Sequence, residues 1–124
     1  MEIEDVLNRY YQLASAGDWT QWCELFTADI MMDEQLAGHV EGRGTLLAMM
    51  SGFPAVWESF TNDPRHTVID GQRAAVLSHI SGRTRTGLTV EVDVCNYFEL
   101  SHGLIAYFKN VHDSAPFAAM QEPA

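Results

Sequence analysis

Asn96, Asn110 and His112 are the residues with which chemistry could begin. Each is polar, and each falls within a run that otherwise alternates. Read with period two, Thr89–Leu100 sets Val90, Val92, Val94, Asn96, Phe98 and Leu100 on one face. Leu104–Asp113 does the same with Leu104, Ala106, Phe108, Asn110 and His112. Ser101-His102-Gly103 between them reads as a three-residue hairpin loop. That register pairs Leu100 with Leu104, Asn96 with Phe108 and Val92 with His112, so the apolar faces coincide. Two amides and an imidazole then project into one apolar space, where polar groups need partners or a ligand. Amides donate and accept hydrogen bonds, and an imidazole moves protons near neutral pH.

A carboxylate lies upstream. Ile30, Met31 and Met32 are followed directly by Asp33 and Glu34. This is either the start of a solvated loop or a carboxylate at a pocket mouth, the place of a general base. The remaining candidates are weaker. A two-residue Asp70-Gly71 turn pairs His66 with Ala75, and sets His66 and His79 on the face opposite Ala74, Val76, Ser78 and Ile80. His39 and His102 fall in loops. The five histidines have no ligand spacing among them, so no metal site is expected. Cys23 and Cys95 are far apart and read as reduced thiols. No serine or cysteine nucleophile has a recognisable signature.

Three helices must position these groups. Residues 2–16 place Ile3, Val6, Leu7, Tyr10, Leu13 and Ala14 at helical spacing, which turns Tyr10 inward rather than Tyr11. Gly17 suits a C-cap, and Asp18 an N-cap for a second helix from Trp19 to Phe26, with Trp19, Trp22, Leu25 and Phe26 on its buried face. Gly42-Arg43-Gly44 precedes a third helix over Thr45–Phe60, kinked or broken by Pro54 and carrying Trp57 among its apolar positions. Its methionines read as adaptable core or as the wall of a pocket. From Arg65 on, the pattern is all strand. The expectation is an α+β domain spanning 1–124, in which a twisted sheet wraps over helices and leaves a cone-shaped cavity.

Composition narrows the function. With 124 residues, 47% of them apolar, one core forms without staples. The formal charge of −10, with seven scattered basic residues, excludes a nucleic-acid or anionic-membrane surface. No apolar run is long enough to span a bilayer and no signal-like segment opens the chain, so a cytoplasmic protein is expected.

Arg9-Tyr10-Tyr11, Ala16-Gly17-Asp18-Trp19, Leu25-Phe26-Thr27-Ala28-Asp29, Gly42-Arg43-Gly44 and Asn96-Tyr97-Phe98-Glu99 before Gly103-Leu104-Ile105 cover nearly the whole chain in order. This pattern resembles the nuclear transport factor 2-like superfamily, in its branch of ketosteroid-isomerase-like and SnoaL-like polyketide-cyclase-like proteins. The resemblance implies a cone-shaped α+β barrel, with three N-terminal helices on a strongly curved antiparallel sheet. It implies that Tyr10 donates a hydrogen bond to a substrate oxyanion and that Glu34 shuttles a proton. Asn96 stands where the isomerases carry a protonated aspartic acid; it can donate but cannot act as an acid. Dehydratase-like relatives use a cavity asparagine, and place a histidine on the strand of His66. Asp113 resembles an aspartate of the polyketide cyclases, although alternation points it away from Asn96.

The expected protein is therefore a cofactor-free acid–base enzyme, an isomerase, cyclase or dehydratase of a small apolar metabolite bearing a carbonyl or hydroxyl. Tyr10, Glu34, Asn96 and His112 are its expected catalytic residues. Asp33, Phe26, Trp57, Phe98, Phe108 and Asn110 are its expected substrate contacts. A homodimer through the outer face of the sheet is the expected assembly. The alternative is a binding module or dimeric interaction domain without chemistry.

Overall fold

Residues 2–121 are described in a computed structural model of the chain. Helices α1 (Ile3–Ala16) and α2 (Trp19–Cys23) lead into strands β1 (Phe26–Glu34) and β2 (Gly38–Glu41). Helices α3 (Arg43–Ser51) and α4 (Phe53–Val56) follow. Then come β3 (Trp57–Asp70), β4 (Arg73–Thr84), β5 (Thr89–Ser101) and β6 (Leu104–His112). A 3-10 turn (Ala115–Phe117) and α5 (Ala118–Gln121) close the described chain. The strand order is β2-β1-β6-β5-β4-β3. Every pairing is antiparallel except β1 with β6, which is parallel. The α+β expectation holds, with N-terminal helices on a curved sheet. No helix among the described residues is long and apolar enough to cross a membrane.

The first helix forms as its pattern requires. Ile3, Val6, Leu7, Tyr10, Tyr11 and Ala14 are buried, with Glu4 and Asp5 in the first turn, where the helix dipole favours them. Gly17 adopts φ 71° and sends its N–H to Ala14, while the Asp18 N–H reaches Leu13. The Asp18 carboxylate then accepts the Gln21 N–H and caps α2. Val6, Phe26, Ile30, Leu46, Val76, Phe98 and Ile105 lie fully buried between helices and sheet.

Four local expectations are corrected. Helix α2 stops at Cys23, and Phe26 opens β1 instead of closing the helix. The helix expected over Thr45–Phe60 ends at Ser51, and Trp57 begins a strand. Pro54 has no N–H and is tolerated only in a first turn, which it occupies in the short α4. The terminal hairpin turns on two residues rather than three. His102 (φ 52°) and Gly103 (φ 79°) both take positive φ, as a tight hairpin turn demands. One extra residue on β6 then shifts the register, giving Leu100↔Ile105, Phe98↔Phe108, Asn96↔Asn110 and Val94↔His112. Beyond the bulge the slip is two residues, so Phe108, Asn110 and His112 keep their face, whereas before it Ile105 is buried in place of Leu104 and Ala106. The β3–β4 turn likewise uses Gly71-Gln72 and pairs His66 with Leu77, which leaves His66 exposed on the outer face, as parity requires.

Candidate active site

The concave face of the sheet and the helices above it enclose a cavity of about 400 Å³. Its polar lining residues are Tyr10, Glu34, Asn62, Asn96, Asn110 and His112. Most of the rest is aromatic or methionine, and all three tryptophans of the chain, Trp19, Trp22 and Trp57, border it.

Glu34 sits at the end of β1, where the chain turns into β2. One carboxylate oxygen, Oε2, accepts the backbone N–H of Leu36 at 2.7 Å and that of Ala37. The other, Oε1, receives the Asn110 amide at 3.4 Å and faces His112 Nε2 at 3.7 Å. Asn110 Oδ1 accepts the Gln35 N–H at 2.8 Å, so this one amide ties the β1–β2 turn to β6. The Glu34 side chain is 19% exposed and that of His112 only 3%. His112 Nδ1 lies 2.8 Å from the carbonyl oxygen of Asp113. A carbonyl only accepts, so Nδ1 carries a hydrogen, and Nε2 is the ring nitrogen that faces Glu34. At 3.7 Å the two groups are not hydrogen-bonded to each other. Phe117 covers the imidazole, with ring centroids 5.0 Å apart.

Tyr10 is inward, as its periodicity requires. It packs on Phe98 and Trp22, and no described residue hydrogen-bonds its phenol. Burial pushes that phenol well above its ordinary range, and the nearby Tyr11 and Glu34 push it further. It is held as a neutral donor. Tyr11, expected to face away, is equally buried. Its oxygen accepts an Asn96 N–H at 2.9 Å, and Ser78 Oγ accepts the other, also at 2.9 Å. Burial raises the Tyr11 phenol too, against the pull of Ser78 and Asn96. Asn96 therefore borders the cavity as expected, yet both of its N–H groups serve an α1–β4–β5 anchor. As placed, neither remains for a substrate oxyanion.

Other expected contacts are corrected. Asp33 points to the outer face, where Tyr107 donates to it at 2.6 Å and His39 lies at 2.7 Å. The Tyr107 hydrogen bond, then that of His39, holds this carboxyl below its usual range. Alternation along β1 separates Asp33 from Glu34. Phe26 and Phe98 are fully buried core residues rather than cavity lining. Trp57, Phe108 and Asn110 do line the cavity. Asp113 accepts the Ala115 N–H and lies outside it. Sequence reasoning missed Asn62, on β3, because the helix expected through Phe60 left it between elements. Ser78 carried a legible signal as a hydroxyl between Val76 and Ile80 on the inward face of β4. Among the described residues, no three His, Cys, Asp or Glu side chains are grouped to hold a metal ion.

Residues 7–108 match the SnoaL-like domain. The chain belongs to the SnoaL-like family. Its structure is similar to an NTF2-like protein of unknown function from Burkholderia pseudomallei, with a TM-score of 0.85 at 15% identity, covering 94% of each chain. It is similar to a candidate polyketide cyclase from Pseudomonas putida, with a TM-score of 0.81 at 20% identity, covering 96% of this chain and 97% of that one. A candidate isomerase from Bacillus subtilis gives 0.81 at 16% identity, covering 94% and 91%. These likenesses establish the shared NTF2-like fold. No curated protein sequence matches the chain.

Proposed function

We propose that this SnoaL-like protein is a cofactor-independent general acid–base enzyme. It isomerises, cyclises or dehydrates a small apolar metabolite that carries a carbonyl or hydroxyl. The observation that carries this reading is the meeting of Glu34 and His112 at 3.7 Å on the wall of an apolar cavity, with the imidazole tautomer set by Asp113. Glu34 takes the proton from a carbon beside the carbonyl. Tyr10 donates to the enolate oxygen in a site where few waters compete. His112 Nε2, which faces Glu34, takes that proton from the carboxyl and returns it to the substrate carbon or delivers it to a leaving hydroxyl. Asn96 acts at second hand, by holding Tyr11 and so the helix that carries Tyr10. The names of two structural neighbours, a candidate cyclase and a candidate isomerase, agree with these reaction classes.

Exchange of the hydrogens beside the carbonyl of 2-tetralone into heavy water, followed by NMR, tests the reading. Glu34→Gln should slow the exchange by about a hundredfold or more. An unchanged rate sinks the proposal. The engagement of both Asn96 N–H groups favours a second reading, a binding module, in which the ketone binds and no exchange is catalysed.

The outer sheet face supports a homodimer. Leu77, Cys95 and Val111 stand in register across β4, β5 and β6, with Leu77 52% and Val111 51% exposed. Such a stripe on a sheet face fits a second copy. The free, exposed Cys95 fits a reducing cytoplasm.

A further inference from the structure

We infer that Asn62 is a second polar anchor of the cavity and selects a ligand with a hydroxyl at the end remote from Glu34 and His112. The inference rests on the acid–base reading only for which end of the ligand reacts. Asn62 is 6% exposed and lines the cavity from β3, paired with Ile80 of β4. A register shift between Pro64 and His66 separates its stretch of β3 from the exposed end of the strand. Its main chain is clamped: the N–H donates to Ser15 Oγ at 3.0 Å, and that hydroxyl lies 3.4 Å from the Asn62 carbonyl. The side-chain amide has no partner among the described residues, and its Oδ1 is sealed from solvent.

Buried amides are almost always satisfied, and an apolar side chain would fit such a wall without the penalty. A ligand group supplies what the protein withholds. Once the amide turns about χ2 to bring Oδ1 to the cavity, a hydroxyl matches both of its ends, giving its hydrogen to Oδ1 and accepting one from Nδ2. An ether oxygen only accepts. The wall around Asn62 is aromatic, with Phe60 two residues away on the same strand face and Phe53 and Trp19 against Phe60 at 4.8 and 6.2 Å. Asn62 on β3 and His112 on β6 are three inter-strand steps apart, roughly 14 Å along the sheet and less across its curve. A body of two or three fused rings reaches both ends within about 400 Å³.

Calorimetric titration with 2-naphthol, 6-methoxy-2-naphthol and 2,6-dihydroxynaphthalene tests the inference on wild type and Asn62→Leu. Wild type should bind the diol about tenfold tighter than either mono-ol, the scale of one well-placed hydrogen bond. In Asn62→Leu that preference should vanish, while 2-naphthol keeps its affinity within about twofold. A preference that survives the substitution overturns the inference, as does failure of all three probes to bind wild type. Asn62→Leu should melt no lower than wild type, since the amide supports nothing in the empty fold. A clear loss of melting temperature would make Asn62 a folding residue and overturn the inference. Glu34→Gln should keep the diol preference even where it abolishes exchange, so failure of the anchor and failure of the acid–base reading are separable.

Discussion

Two neighbouring phenols separate function from architecture at the residue scale. Tyr10 has a hydroxyl without a partner among the described residues, whereas Tyr11 receives an N–H of a fully buried amide. Tyr10→Phe should leave the melting temperature nearly unchanged and slow 2-tetralone exchange by about 10²–10³, the worth of one oxyanion donor. Tyr11→Phe should instead cost about 1–3 kcal/mol in denaturant unfolding, because an Asn96 N–H is left unpartnered in the core. The burial that raises the Tyr10 phenol also keeps it protonated as pH passes its ordinary value of 10.0, so it should add no inflection to the rate there. Asn96, Asn110 and His112 were legible from parity alone, since a polar residue on an apolar face is conspicuous, whereas Glu34 was separated from Asp33 only by the family resemblance. Tyr11 was not, because neighbours on a helix lie about 100° apart and a wide buried stripe can hold both.

Elements place these groups through bulges, turns and close approaches that hydrophobic period does not encode. The inward face of Asn96, Phe108, Asn110 and His112 followed from alternation, yet Ile105 replaced Leu104 and Ala106 in the core and the pairing beyond it slipped by two, because His102-Gly103 makes a tighter turn and β6 carries an extra residue. The third helix was overextended because its apolar spacing runs on through Trp57 and Phe60, where the chain is already a strand. Trp57 itself depends on a bare backbone opposite it. A Cβ on Gly82 would lie 2.6 Å from Trp57 Cζ3 and 3.1 Å from the Ser59 carbonyl. Gly82→Ala should therefore lower stability by about 1–3 kcal/mol in urea unfolding and displace the indole that borders the cavity. On the outer face, His79 of β4 meets Asp93 of β5 at 2.8 Å and Glu91 at 3.5 Å. The Asp93 hydrogen bond is the main cause that raises the His79 pKa above its ordinary 6.5. A raised histidine stabilises fully below its unfolded value and loses that contribution as pH rises through its folded value. The melting-temperature advantage of wild type over Asp93→Asn should thus be largest below pH 6.5 and fade above it.

At the scale of the whole molecule, the two faces of the sheet hold different chemistry. The inner one encloses the cavity, and the outer one exposes Leu77 and Val111, the residues proposed to meet a second copy of a chain whose formal charge is −10. Leu77→Arg should shift sedimentation toward the monomer, and added salt should tighten the wild-type dimer by screening the repulsion between like-charged copies. A profile that is monomeric at every concentration and salt would remove the dimer. The placement of the indoles has a practical side as well. Trp19, Trp22 and Trp57 are all the tryptophan the chain contains, and each borders the same hollow. Ultraviolet emission from this protein therefore originates almost wholly at the rim of its cavity. A guest that enters is seen directly, without a label, while events on the far side of the sheet stay optically dark.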